Sequence, residues 1–513
     1  MANQRLELTW IGKGEDPAVE PRILLHDPSK DYGDPNTENM LIHGDNLLAL
    51  KALEQEYAGQ IKCIYIDPPY NTGSAFEHYD DNLEHSIWLN LMKARLESLK
   101  TLLANNGFIF AQIDDYEMAY LKVLMDEVFG RNNFINAIVW KRKGGSVNPR
   151  NKLNSNTDYI LCYAKSDVAE LVPVYTIDDP ETQDYINKRF KYVDENGRRY
   201  RLSPIISPTY SPTLVYEYKG YLPPKNGWSL SRPKMEQFER EGRLYMPQDK
   251  NQRIQRKQYL DEYKGRPIGN LWTDINVINP MSTERLDFVG QKPETLIQRI
   301  LSLSTKDGDL VLDSFLGSGT TAAVAHKMGR RYIGIELGDH CYTHCKPRLD
   351  KVIDGEQGGI SKEVNWHGGG GYKFYELAPT LIVKDKYGNP VFSEQYSPEM
   401  LVAAVAKING YHYAPDVETF WKQGFCQDNS FIYVTTQYLT GEVLDGIAAE
   451  VGAFENLLVC APAFDTGLNK RYENITVRKI PQSVLDKCQY GVDNYNLNII
   501  DPPVLDEEEW EDD

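Results

Sequence analysis

The chain has 513 residues, 41% hydrophobic and 25% charged, a globular composition that excludes fibrous and disordered classes and predicts about three domains at ~100–200 residues each. Lys and Arg number 56 against 74 Asp and Glu, a formal charge of −18 that, taken as a sum, opposes binding to a phosphate backbone. No apolar run approaches the ~18 residues of a membrane helix, residues 1–7 hold no apolar signal core, and seven unpatterned cysteines point to a reduced, cytoplasmic protein.

Residues 1–39 are polar and rich in Pro, Asp and Gly, and predict an irregular arm. The run Met40-Leu41-Ile42-His43 reads as a strand ending at Gly44-Asp45, followed by a helix carrying Leu47, Leu48, Leu50 and Leu53. Ile61-Lys62-Cys63-Ile64-Tyr65-Ile66 is a strand stopped by Asp67-Pro68-Pro69-Tyr70. An amphipathic helix is predicted over 84–104, closed by Asn105-Asn106-Gly107. A strand over 108–113, a helix over 116–129 and strands over 134–140 and 159–164 complete this half. Trp88 and Trp140 are expected in the core. The alternation of strand and helix predicts a parallel sheet covered on both faces.

Periodicity fades over 166–266, where Tyr, Pro, Arg and Lys dominate, and this stretch reads as a separate module. The alternation resumes over 267–365 with a helix at 294–304, a strand at 309–313, a Gly-rich turn, a helix at 320–328 and a strand at 332–336. A joint is expected near Trp366 to Gly371, then another α/β region over 366–500 and an acidic tail over 501–513.

The charge is unevenly spread. Residues 131–270 carry 25 Lys/Arg against 16 Asp/Glu, and residues 361–513 carry 11 against 24. A cationic middle between anionic flanks predicts that a polyanion meets residues 131–270, with the acidic tail pointing away. Lys141-Arg142-Lys143 borders that block and reads as a loop touching phosphate.

Asp313-Ser314-Phe315-Leu316-Gly317-Ser318-Gly319-Thr320-Thr321 joins a strand to a helix. Glycines let backbone approach a ligand closely, and a helix N-terminus offers free N–H groups. Glu336 ends the next strand, near the ~20-residue spacing at which an acid meets a ribose hydroxyl pair. The pattern predicts a nucleoside-containing cofactor at the carboxyl edge of a sheet. A phosphate loop of the G-x-x-x-x-G-K-[ST] type occurs nowhere in the chain.

Asp67-Pro68-Pro69-Tyr70 suits attack by an exocyclic aromatic amine. Such an amine delocalises its lone pair into the ring. The Asp67 carboxylate and the Pro68 carbonyl can accept its two N–H bonds and favour a pyramidal nitrogen, with Pro69 helping to fix the turn. Tyr70 offers a flat surface for a flipped-out base, and Phe76, His78 and Tyr79 follow as candidate closing residues.

Together the two motifs resemble the amino-methyltransferases of DNA that use S-adenosyl-L-methionine, in the β-class order with the catalytic motif first. Asn71-Thr72-Gly73, Gln291-Lys292-Pro293-Glu294 and Tyr332-Ile333-Gly334-Ile335-Glu336 are similar to the modification subunits of type III restriction-modification systems. The resemblance covers about residues 1–375. It implies a circularly permuted, doubly wound seven-stranded α/β sheet with adenine N6 as the usual target and cytosine N4 as the alternative. It implies that Asp313, Phe315, Gly317, Gly319 and Thr320 line the cofactor and that Glu336 holds its ribose. It places Asp45 at the cofactor's adenine and Lys292 near its methionine end. The cationic block becomes the target-recognition region for double-stranded DNA. A homodimer is expected, with a helicase-nuclease restriction subunit as a possible partner. No metal is expected: His340-Cys341 and His344-Cys345 on one helix cannot surround a single zinc, and a capped helix is expected there.

Overall fold

The computed structural model describes residues 7–14, 19–20, 22–70, 85–142, 153–177, 179–384, 386–387, 390–426 and 429–480. Lys143, Phe76, His78, Tyr79, Asn71-Thr72-Gly73 and the acidic tail lie outside these residues. Two compact units are present, residues 173–269 and the remainder.

The larger unit is built on one sheet. Its elements, in chain order, are β1 (Leu24–His26), β2 (Met40–His43), α1 (Asn46–Tyr57), β3 (Ile61–Ile66), α2 (His85–Leu102), β4 (Leu103–Ile113), α3 (Met118–Met125), β5 (Phe134–Lys141) and β6 (Thr157–Ala164). After the smaller unit come β7 (Leu271–Trp272), α4 (Glu294–Ser304), β8 (Leu310–Asp313), α5 (Thr320–Lys327), β9 (Arg331–Glu336), α6 (Lys346–Ile353) and β10 (Gly371–Leu377). The strand order is β1-β10-β2-β9-β8-β3-β4-β6-β5-β7, with Tyr32–Gly33 pairing beside β10. The stretch from β2 to β5 is the seven-stranded, doubly wound core. β3 and β4 bury residues on both faces, which requires cover on both sides of the sheet.

Several expectations are corrected. The sheet is mixed, because β6 runs antiparallel to both β4 and β5. Only residues 142–156 separate β5 from β6, and a short connection returns the chain antiparallel. The 105–107 segment does not close α2. β4 begins at Leu103, opposite Ile61, and Gly107 sits where a Cβ would meet the Ile61 carbonyl at 2.9 Å. The helix expected to Phe129 ends at Met125 and passes into a wider turn over Asp126–Gly130. The joint expected near Trp366 to Gly371 leads into a further strand of the main sheet. β10 pairs in parallel with β2 because Tyr372 and Phe374 have apolar rings to bury, and both are fully buried.

Beyond β10 a five-stranded sheet runs through His412–Tyr413, Gly424–Cys426, Ser430–Val434, Asn456–Ala461 and Ile475–Lys479, with helices at Pro398–Ile408 and Gly441–Glu450. The 173–269 unit has its own core, with Trp228, Met235, Tyr218 and Tyr221 buried. It carries a four-stranded antiparallel sheet centred on Arg199–Pro204 and Gln255–Tyr259. No described helix is long and apolar enough to cross a membrane.

Candidate active site

β3 and β8 are adjacent and parallel, with Val311 facing Cys63 and Leu312 facing Ile64. Asp67 and the Gly-rich turn therefore leave the sheet side by side at its carboxyl edge. A cavity of about 480 Å³ opens there, bounded by Asp67–Tyr70, Lys292, Asp313 and the turn residues Phe315, Leu316, Gly317, Ser318 and Thr320.

The Asp67 turn is held on three sides. The Tyr70 hydroxyl donates to Asp67 Oδ1 at 2.7 Å. The Lys292 ammonium donates to Asp67 Oδ2, and to the Gly290 carbonyl at 3.1 Å. The indole N–H of buried Trp88 donates to the Pro69 carbonyl at 2.7 Å. Pro68 and Pro69 have no N–H, and their fixed φ sets the direction of both carbonyls. Among the described residues nothing donates to the Pro68 carbonyl. Burial pushes the Tyr70 phenol well above its ordinary range, and the Asp67 charge adds to that, so Tyr70 stays a donor.

The Gly-rich turn is built from its own polar groups. Asp313 Oδ1 accepts the Phe315 N–H at 2.9 Å and Oδ2 accepts the Thr321 hydroxyl at 2.6 Å. Burial pushes the Asp313 carboxyl up to about 7, against the pull of those two donors. Gly317 and Gly319 have φ of 56° and 81°, in the left-handed region open to glycine, and Gly319 starts α5. A Cβ on Gly319 would sit 3.3 Å from Cys345 Cα. Thr320 Oγ1 accepts from Arg348 at 2.7 Å and donates to the Lys292 carbonyl at 3.2 Å. Arg348 in turn pairs with buried Glu294 at 2.9 Å, as does buried Lys327 at 2.9 Å.

Glu336 and Asp45 lie behind the turn and do not line the cavity. The Glu336 carboxylate accepts the N–H groups of Gly317, Leu337 and Gly338 at 2.7, 2.8 and 3.1 Å, with His340 Nε2 at 2.9 Å. Asp45 caps α1 through the Leu48 N–H at 3.1 Å and pairs with buried Arg95 at 3.2 Å. Arg95 bonds Asn46 at 2.5 Å, and Asn46 donates to the Ser314 carbonyl at 2.7 Å, so this chain also anchors the turn. The His340–Cys345 segment adopts a wide turn over Cys341–Cys345 before α6, in place of a simply capped helix, and Cys345 Sγ reaches the Gly317 carbonyl at 3.0 Å. No group of three metal-ligating side chains occurs among the described residues.

The loop triplet separates. Lys141 ends β5 exposed, opposite Thr157. Arg142, expected to touch phosphate, turns into the cavity wall, because buried Asp158 needs a counter-charge and holds Arg142 Nε at 3.1 Å. Asp158, Gln112, Tyr65 and Trp140 escaped the reading by motif. A carboxylate at the head of an otherwise apolar strand, Asp158 before Tyr159-Ile160-Leu161, was the available signal.

The family model described as DNA methylase, of the N6/N4 type, matches residues 61–346. The chain is 38% identical over 411 residues to the probable type III restriction-modification enzyme HindVI Mod subunit of Haemophilus influenzae, covering 67% of this chain and 54% of that protein. It is 33% identical over 365 residues to the StyLTI Mod subunit of Salmonella typhimurium, covering 62% and 55%. It is 24% identical over 360 residues to the DNA adenine methyltransferase YhdJ of Escherichia coli, covering 68% and 96%. The chain thus spans about half the length of the two Mod subunits it matches.

Proposed function

The chain belongs to the N6/N4 DNA methylase family, and from that premise we propose that it transfers a methyl group from S-adenosyl-L-methionine to the N6 amine of a flipped-out adenine in double-stranded DNA. The observation that carries this reading is the single cavity shared by the Asp67 carboxylate and the Gly-rich turn. Its volume of about 480 Å³ suits a nucleoside-sized ligand. The buried Asp313 carboxyl suits a cationic one. S-adenosyl-L-methionine, bound against Phe315, Gly317 and Thr320, supplies an electrophilic methyl on a sulfonium.

The chain's own groups then orient the acceptor. One amine N–H goes to Asp67, displacing the Tyr70 hydroxyl from Oδ1, and the other goes to the Pro68 carbonyl. Both acceptors lie to one side, so the nitrogen lone pair is directed away from them toward the methyl carbon. As the new N–C bond forms, the methyl–sulfur bond would break and leave a neutral thioether, and the nitrogen, made positive, would pass a proton to Asp67 or to water, so Asp67 need not be a strong base. Lys292 holds Asp67 in place. The likeness to an adenine methyltransferase supports adenine over cytosine.

The likeness to Mod subunits supports a second role in the same chain, as the DNA-recognition partner of a helicase-nuclease restriction subunit. In this reading the 173–269 unit, with 18 Lys/Arg against 13 Asp/Glu, recognises the target. The enzyme acts as a cytoplasmic homodimer. Modification-sensitive sequencing of host DNA with and without the protein is expected to show N6-methyladenine in one motif. Asp67→Ala is expected to abolish that mark and retain cofactor binding. A methylated cytosine, or turnover in Asp67→Ala, would overturn the mechanism.

A further inference from the structure

The cavity extends past Asp67 to a wall that the methyl-transfer chemistry does not use. β8 and the Gly-rich turn lie on one side of β3, and β4, β6 and β5 lie on the other. Ile66 faces Ala111, Gln112 faces Ile160 and Trp140 faces Asp158. Side chains alternate along a strand, so Tyr65, Asp67, Gln112, Asp158, Trp140 and Arg142 share one face at the carboxyl edge.

These groups form a directed chain. The Tyr65 hydroxyl donates to Gln112 Oε1 at 2.6 Å, which turns the Gln112 amide N–H toward Asp158 Oδ2 at 3.0 Å. Asp158 is 1% exposed, and its other oxygen faces Arg142 Nε at 3.1 Å. The Arg142 backbone N–H is fixed on the Asn156 carbonyl at 2.8 Å. Asp158 Oδ2 accepts from Gln112 and its Oδ1 meets Arg142 as an ion pair, so releasing Arg142 would leave a buried carboxylate short of its counter-charge. Arg142 lines the cavity, and among the described residues its two terminal nitrogens make no hydrogen bond. A guanidinium presents donors only.

We propose that Arg142 contacts N1 or N7 of the target adenine, and that Asp158, through its ion pair with Arg142 Nε, is the positioning residue that aims it. The inference rests on the adenine reading above. With the amine N–H groups on Asp67 and Pro68, adenine's ring edge offers acceptors only, at N1, N3 and N7, and a donor fork complements it. Guanine places an N–H at ring position 1, where a fork directed at that edge meets a donor with a donor. The Gly-rich turn occupies the opposite side of Asp67, so the base belongs on the Arg142 side.

The test uses the full chain and duplexes carrying its methylated motif, with the target adenine replaced by 1-deazaadenine or 7-deazaadenine. Initial rates give kcat and KM separately. Wild type is expected to lose about tenfold or more in kcat/KM on one analogue, the loss of a hydrogen bond to a charged donor. Arg142→Met is expected to lose a similar factor on adenine and nothing further on that analogue. Arg142→Lys, which keeps a cation beside Asp158 and removes the fork, guards against a folding defect and is expected to lose the same discrimination. Asp158→Asn is expected to lower kcat and weaken the discrimination in part. Either Arg142 variant retaining wild-type preference for adenine over both analogues would overturn the inference and leave the adenine reading standing. Absence of N6 methylation by wild type would overturn both.

Discussion

Binding of a cationic cofactor at the Gly-rich turn is expected to release a proton from Asp313. That carboxyl is 3% exposed, and burial holds its pKa at about 7 in the free protein. A sulfonium or ammonium bound nearby favours the ionised form, so binding lowers the pKa and expels the proton. Below pH 7 part of the binding energy goes into that deprotonation, and well above it almost none does. The ionised fraction rises from about 0.1 at pH 6 to about 0.9 at pH 8, so affinity should rise about tenfold over that range and level off beyond it. Titration calorimetry in two buffers of different ionisation heat reads the proton directly, with about 0.9 released at pH 6 and about 0.1 at pH 8. Asp313→Asn cannot ionise, and its affinity should be flat with pH. Buffer-independent heats at pH 6, or a pH slope that persists in Asp313→Asn, would refute the reasoning.

Lys292→Met removes the ammonium that donates to Asp67. Initial-rate measurements should show kcat/KM down by the about 1.5–3 kcal/mol typical of a hydrogen bond to a charged group. Gly319→Ala places a side chain at φ 81°, 3.3 Å from Cys345 Cα, and should cost about 1–2 kcal/mol. Weaker cofactor binding, measured by calorimetry, is the expected readout, and unchanged affinity would mean that the turn tolerates the strain. Glu294→Gln leaves buried Arg348 without its paired carboxylate and buried Lys327 with Glu356 alone, and thermal unfolding should show a loss of about 3–5 kcal/mol.

The parts of the site that are local in sequence are legible in it. Asp67-Pro68-Pro69-Tyr70 and the Asp313–Thr321 turn each follow a strand, and chain order alone puts both at a carboxyl edge. The core strands and their helices follow from periodicity, and the seven-stranded order from the resemblance. The antiparallel β5–β6 pair is not legible, because alternation of strand and helix suggests crossovers throughout. That pair delivers Arg142 and Asp158 to the cavity, so the misread topology and the misread position of Arg142 have one cause. Glu336 shows a different limit. Its spacing from the glycines suggests a ribose, while its carboxylate is engaged by Gly317, Leu337 and Gly338 N–H groups that no residue pattern advertises. Asp45 is similar, since an Asp before a leucine-rich helix signals a cap as readily as a ligand contact.

The formal charge of −18 takes a different meaning beside the cavity. Four carboxylates line it, those of Asp67, Asp158, Asp287 and Asp313, against two cations, Arg142 and Lys292. Such a site attracts a cation and repels phosphate. It therefore suits a sulfonium cofactor and a neutral base, and it opposes entry of the backbone that carries that base. On the proposed function the base reaches it by leaving the duplex, while the phosphates stay outside. Their counter-charge must come from elsewhere in the chain, and the 173–269 unit, with its excess of Lys and Arg, is where the sequence concentrates it. On this argument salt and target chemistry act on separate parts of the protein. Raising ionic strength should weaken DNA binding steeply and leave cofactor affinity nearly unchanged. A parallel loss of both would mean that the same charges serve both ligands.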